Sequence, residues 1–167
     1  MWNHNMNAIK LQQFSHKLYK AHIPFIPGLI QRYIHFRYNC DLSPFIRIGK
    51  GTRLGHKGIG VVINSKAIIG RNVIIAQNVT VASRDGSAPT IGDWCYAGAN
   101  SVLLGGVKLG KNSYVGALSF VNKDVPEGAI VAGIPAKVLR IRTQEEIEEW
   151  HQWVIKQGGI PFNEGQE

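Results

Sequence analysis

The sequence is poor in cysteine, in acid and in long apolar stretches. Only Cys40 and Cys95 occur among 167 residues. They stand far apart and in no metal-ligand spacing, which excludes a disulfide framework and a zinc site as organising features. No apolar run approaches the roughly 20 residues a membrane helix needs. Met1 to Lys10 lacks the apolar stretch of a secretory signal, so the expected compartment is the cytoplasm. Charged residues make up 18% and hydrophobic ones 44%, with no low-complexity tract. That is the composition of a folded chain, and its length suits one domain with its own core.

The scarce acid is also unevenly placed. Residues 1–40 hold five basic residues and no acidic one; residues 41–142 hold thirteen basic and five acidic; residues 143–167 hold six glutamates against Lys156. A surface this basic suits nucleic acid, an anionic membrane face or a phosphate-bearing small molecule. The chain has no basic helix, zinc-finger spacing or aromatic RNA-binding signature, so no nucleic-acid partner is expected.

What the sequence does have is a six-residue repeat. Aliphatic residues recur at Leu42, Ile48, Leu54; at Ile63, Ile69, Ile75, Val81; and at Ile91, Ala97, Leu103, Leu109, Val115, Val121. A small residue often follows, as in Ile69-Gly70 and Leu109-Gly110, and the residue four positions after each anchor is usually small or β-branched. Leu54 to Ile63 runs three residues too long and Val81 to Ile91 four too long. A period of six fits neither a helix nor an alternating strand. It predicts an all-β solenoid of triangular cross-section, with one short strand per face, three hexads per coil and a little over four coils. The phase breaks predict loops at about 55–60 and 82–89, and loops on a rigid scaffold carry function.

The flanks read as helices over residues 6–21, about 28–38, and from Thr143 to about Gln157. Thr143 with Glu146 forms a capping-box pattern. The expected organisation is a helical cap over 1–40, the solenoid over 41–140, and a helix with a tail over 141–167.

Three stretches carry a family resemblance: Asp41-Leu-Ser-Pro-Phe-Ile-Arg-Ile-Gly49, Leu54-Gly-His-Lys-Gly58, and Val131-Ala-Gly-Ile-Pro-Ala-Lys137 following Lys123-Asp-Val-Pro126. With them, residues 41–140 resemble the hexapeptide-repeat acyltransferases, the left-handed parallel β-helix enzymes. The likeness is strongest to the serine acetyltransferase branch and its relatives that O-acetylate sugars and polysaccharides. It implies an acetyl-CoA-dependent O-acetyltransferase, a homotrimer with sites between subunits, and no metal.

Acetyl transfer from a thioester to a hydroxyl needs a base, and histidine has a suitable pKa. Of six histidines only His56 lies in the repeat region, and it falls on the family's catalytic histidine. Asp41 falls on the aspartate that orients that histidine, an arrangement that fixes the tautomer and stabilises the imidazolium. By the same resemblance, backbone near Gly98, Gly116 and Ala117 lines the pantetheine arm. Lys123 and Lys137 sit near the nucleotide end, with Arg140 and Arg142 assisting. Backbone N–H groups are the expected oxyanion donors. Cys95, at a small inward position, is expected to be structural.

The chain departs from the serine enzymes at Gly55, where they carry an aspartate, and at Ser87 and Ala88, where they carry an arginine and a histidine. The loop there is about four residues shorter, and their helical N-terminal domain is longer than the forty residues here. Serine's charged groups would then lose their partners, which is costly. The expected acceptor is therefore a carbohydrate hydroxyl, with L-serine as the alternative and an inactive interaction scaffold as the non-enzymatic one. The basic, aromatic N-terminal segment reads first as an end cap and trimer contact, with peripheral contact to the inner face of an anionic membrane as the alternative.

Overall fold

The computed structural model describes residues 7–161; the expected helix start at residue 6 and the tail beyond 161 lie outside this range. Helices α1 (Ala8–Lys20) and α2 (Ile26–Tyr38) come first, then the solenoid, then α3 (Gln144–Lys156). The solenoid has three parallel faces. The first stacks Asp41–Leu42, Val62–Ile63, Thr80–Ala82, Val102–Leu104 and Phe120–Val121; the second stacks Arg47–Ile48, Ile68–Ile69, Thr90–Ile91 and Lys108–Leu109. The third stacks Arg53–Leu54, Ile74–Ile75, Tyr96–Ala97, Tyr114–Val115 and Ala129–Gly133, and ends on the antiparallel strand Ala136–Ile141.

The register confirms the six-residue reading. Paired residues are 18 apart where no loop intervenes, as in Val62 on Thr80 and Tyr96 on Tyr114. They are 21 apart across the first phase break (Asp41 on Val62) and 22 across the second (Thr80 on Val102). The inserted residues are thrown out at corners and leave the ladders intact. The repeated aliphatics point inward: Leu42, Ile63, Val81, Leu103 and Val121 are all 3% exposed or less. The fourth residue after each anchor is inward too, so Val73, Val79, Ser101 and Ser113 are equally buried.

Corner geometry explains the small residues. A Cβ on Gly70 would come within 2.8 Å of the backbone of Gly92 and Asp93 in the next coil, closer than any side chain tolerates. The third residue after the anchor turns the corner in the left-handed region, and the sequence supplies Asn72, Asn78, Asn100 and Asn112 there, all with φ between 54° and 61°. Asparagine adopts that conformation more readily than most residues.

Side-chain amides seal the open edge of the first coil. From α1, Gln12 Nε2 donates to the carbonyls of Ser43 (3.0 Å) and Ile46 (2.8 Å), and Gln13 Nε2 to those of Ile48 (3.2 Å) and Gly49 (3.1 Å). Helix α2 lies across α1, with Ile34 fully buried. At the C-terminal end α3 begins with the expected capping box. It covers the third face through buried Val154, through Trp150 Nε1 donating to the Trp94 carbonyl at 2.7 Å, and through His151 against the Trp94 ring.

Gln12→Leu removes the donor from two edge carbonyls and is expected to destabilise the fold by about 1–3 kcal/mol. Urea unfolding followed by circular dichroism measures this; an unchanged midpoint would show that those carbonyls need no protein donor.

Candidate active site

One edge of the prism, between the third and first faces, gathers most of the residues singled out above. His56 occupies the first phase break, in a short turn over Gly55–Gly58. His56 and Lys57 are both left-handed (φ 47° and 62°), and both are exposed. The His56 ring makes no hydrogen bond among the described residues. Strained backbone of this kind persists where the surroundings hold it, and it is concentrated at functional sites. Successive corners continue the edge: the Asn100 amide donates to the Gln77 carbonyl (3.1 Å) and the Leu118 amide to the Ala99 carbonyl (2.9 Å). A Cβ on Gly98 would lie 2.6 Å from the Ala117 nitrogen. Gly98, Gly116 and Ala117 therefore stand together, and Ala117 lies three coils from His56, about 14 Å at 4.7–4.9 Å per coil.

Asp41 opens the first face at the same edge. Its amide donates to the Val61 carbonyl at 2.9 Å, and its carboxylate accepts from Gln31 Nε2 of α2 at 3.1 Å rather than from His56. The turn nonetheless packs beside it, since a Cβ on Gly58 would be 3.5 Å from Cys40 Sγ. Lys137 joins the far end of this edge, on the final strand opposite Ala132. Lys123 does not: it follows Val121 at the first–second edge, as does the loop over 83–88, whose Ser87 lies beside Gly106. Arg140 is held in a bidentate ion pair with Glu146 at 2.7 and 2.6 Å. Arg142 donates to the carbonyls of Asn112 and Glu146.

Two residues escaped the sequence reading. Gln31 holds the Asp41 carboxylate, and no spacing rule announces it. Arg53 stands in an otherwise apolar or aromatic outward row with Ile74, Tyr96 and Tyr114. Its Nη1 is buried without a hydrogen-bond partner, and burial pushes the guanidinium pKa down. A lone cation in such a row was the available signal. Neither cysteine is poised for chemistry. Burial, with Asp41 alongside, pushes the Cys40 thiol up to about 12, and burial pushes that of Cys95 up to about 11. Cys95 fills a core position and contacts the Gly110 carbonyl at 3.1 Å. Among the described residues no cluster of His, Cys, Asp or Glu could hold a metal ion.

No protein-family model matches the chain. It is 38% identical over 136 residues to serine acetyltransferase 4 of Arabidopsis thaliana, covering 79% of this chain and 38% of the relative. With the serine acetyltransferase of a Synechocystis species it is 32% identical over 164 residues, covering 96% of this chain and 63% of the relative. The solved serine acetyltransferase of Neisseria gonorrhoeae superposes with a TM-score of 0.77 at 31% identity, covering 85% of this chain and 57% of that one. That of Brucella abortus in complex with coenzyme A superposes with a TM-score of 0.77 at 30% identity, covering 81% and 56%. The chain thus spans about half the length of the relatives it matches.

The fold and repeat define a parallel hexapeptide-repeat β-solenoid of about four turns. Its repeat domain is related to that of the serine acetyltransferases. This corrects the expectation of a carbohydrate acceptor: relatives at 32–38% identity are serine acetyltransferases, as are the matching solved structures. The sugar and polysaccharide character inferred from Gly55, Ser87 and Ala88 falls with it. Missing partners at those positions do not establish a neutral acceptor when half-buried Arg53, three residues before His56, holds a buried Nη1 without a hydrogen-bond partner.

With pKa values this high, neither thiol is expected to react with iodoacetamide at pH 8 in the folded protein, and both should react in urea. Mass spectrometry distinguishes the two states; labelling of folded protein at the rate of a free thiol would refute this burial.

Proposed function

We propose that this chain transfers an acetyl group from acetyl-CoA to the hydroxyl of L-serine, as a homotrimer whose sites lie between copies. The observation that carries the reading is His56 on a strained, exposed corner, at the end of an edge lined by small residues, in a repeat domain related to serine acetyltransferases. Two of the solved relatives are complexes with CoA.

In this reading His56 accepts the proton of the serine hydroxyl as its oxygen attacks the thioester carbonyl. The tetrahedral intermediate collapses, the C–S bond breaks, and the imidazolium returns the proton to the departing thiolate. The products are O-acetylserine and CoA. Asp41, which accepts from Gln31, stands at the start of the same coil, and in this reading it is assigned the orienting of the imidazole during transfer. The edge of small residues lets an extended thioester arm approach the backbone, and Lys137 at its far end offers a cation to phosphate.

Serine's carboxylate also needs a cation, and Arg53 has a buried Nη1 without a hydrogen-bond partner. Its buried Nη1 gains a charge-assisted partner when the acceptor binds, which offsets the cost of leaving it unpaired. A trimer fits because His56 and the 83–88 loop stand on different edges of one chain. Two copies side by side would bring such edges together. Exposed Ile59, Val62 and Leu118 along the His56 edge suit that contact.

Thiol release from acetyl-CoA tests the assignment. His56→Ala should lower kcat by about 100- to 10,000-fold with L-serine. Arg53→Met should raise the KM for L-serine by roughly tenfold or more, with little change in kcat, and should erase the preference for L-serine over L-serinamide. Absence of L-serine-dependent release by the wild type refutes the acceptor; an Arg53→Met enzyme that keeps its preference refutes the role of Arg53 alone.

A further inference from the structure

The N-terminal helices carry a surface that acetyl transfer does not use. Helix α2 turns Ile34 and Pro27 inward, while its other side presents Leu29, Tyr33 and Phe36 to solvent, with Phe25 just before the helix. Positions 25, 29, 33 and 36 follow helical spacing and form one stripe. Phe36 is 89% exposed and Phe25 86%. Large aromatics this open, several on one stripe, mark a contact surface rather than scattered surface residues.

The backbone before the helix supports that view. Phe25 sits in the left-handed region, with φ of 63°, as does His22 at 57°. A bulky aromatic adopts that conformation only at a cost. Phe25 buries almost none of itself within the chain in return, so the conformation aims its ring outward without internal gain.

The charge on the two N-terminal helices is of one sign. Lys17, Lys20, Arg32 and Arg37 are all exposed, and no Asp or Glu occurs before Asp41. Symmetric pairing of this face with a second copy would set these cations against one another with no acid in the segment to answer them. An anionic lipid surface answers both features: headgroup charge meets the basic residues, and rings enter the headgroup–acyl boundary. No helix of the described chain is long and apolar enough to cross a membrane, so the contact is peripheral. Because α1 and α2 stack on the first coil, the face lies at one end of the solenoid.

We propose that the stripe of Phe25, Leu29, Tyr33 and Phe36, with Arg32 and Arg37 on the same helix, is a docking surface for an anionic lipid bilayer. The proposal is independent of the reaction at His56.

Co-sedimentation of the full chain with vesicles tests it. Binding to phosphatidylcholine vesicles containing phosphatidylglycerol is expected, with loss on adding salt and at least tenfold weaker binding to phosphatidylcholine alone. The double variant Phe25→Ser/Phe36→Ser should bind anionic vesicles at least tenfold more weakly, as should Arg32→Glu/Arg37→Glu. Both should keep the wild-type circular dichroism spectrum and solution mass. Wild type that stays in the supernatant with anionic vesicles overturns the proposal, as does an aromatic variant that binds like wild type. A fall in solution mass for the aromatic variant assigns the face to contact between copies and equally overturns it. Tight binding to a single-stranded polynucleotide that outcompetes the vesicles assigns the face to nucleic acid instead.

Discussion

Backbone hydrogen bonding between coils stacked less than 5 Å apart is the constraint to which the rest of the molecule answers. At that spacing a corner has no room for a Cβ where Gly70 meets Gly92, or where Gly98 meets Ala117. The chain must also reverse direction within a few residues, which selects asparagine at the left-handed positions. Extra residues are tolerated only at corners, because an insertion inside a strand would push every inward side chain outward. The two insertions present obey this rule. One of them carries His56, so the candidate base sits where the repeat is free to vary.

Much of this was legible because the repeat is strict. Aliphatics spaced six apart gave the faces, and the three- and four-residue excesses reappear as register steps of 21 and 22 in place of 18. Thr143 and Glu146 announced the start of α3. Other features had no local signature. Gln12 looks like a solvent-facing residue of an amphipathic helix, yet it is fully buried because its amide serves carbonyls more than thirty residues away. The closing antiparallel strand over Ala136–Ile141 was missed because its outward residues follow no hexad. The asparagines at the third position after Ile69, Ile75, Ala97 and Leu109 were in plain view, but their meaning lies in φ, which a hydropathy pattern does not register.

The acceptor shows a different failure. Gly55, Ser87 and Ala88 are absences, and an absence at a known position says nothing about what other positions supply. Arg53 was overlooked because a single arginine in a repeat reads as a solvated face; only three-dimensional burial shows a nitrogen with no partner. Asp41 and His56 could be singled out by their motifs, whereas the bracing of Asp41 by Gln31 depends on α2 folding across the first coil. The relationship to serine acetyltransferases bears on the acceptor more directly than the missing residues did.

The glutamine amides from α1 have one more consequence. They grip carbonyls of the first coil, whereas the C-terminal segment runs back along the third face. Trp150 packs on Tyr114 and Tyr96, Val154 packs with Ile74 and Trp94, and the Ile160 backbone exchanges hydrogen bonds with the Asn72 side chain. The second closure therefore measures a distance that the first does not. A coil gained or lost between Asn72 and Tyr114 would part Ile160 from its partner or pull Trp150 off the tyrosines. The segment acts as a tally of coils, so the length of the His56 edge is held by a strap laid outside the repeat.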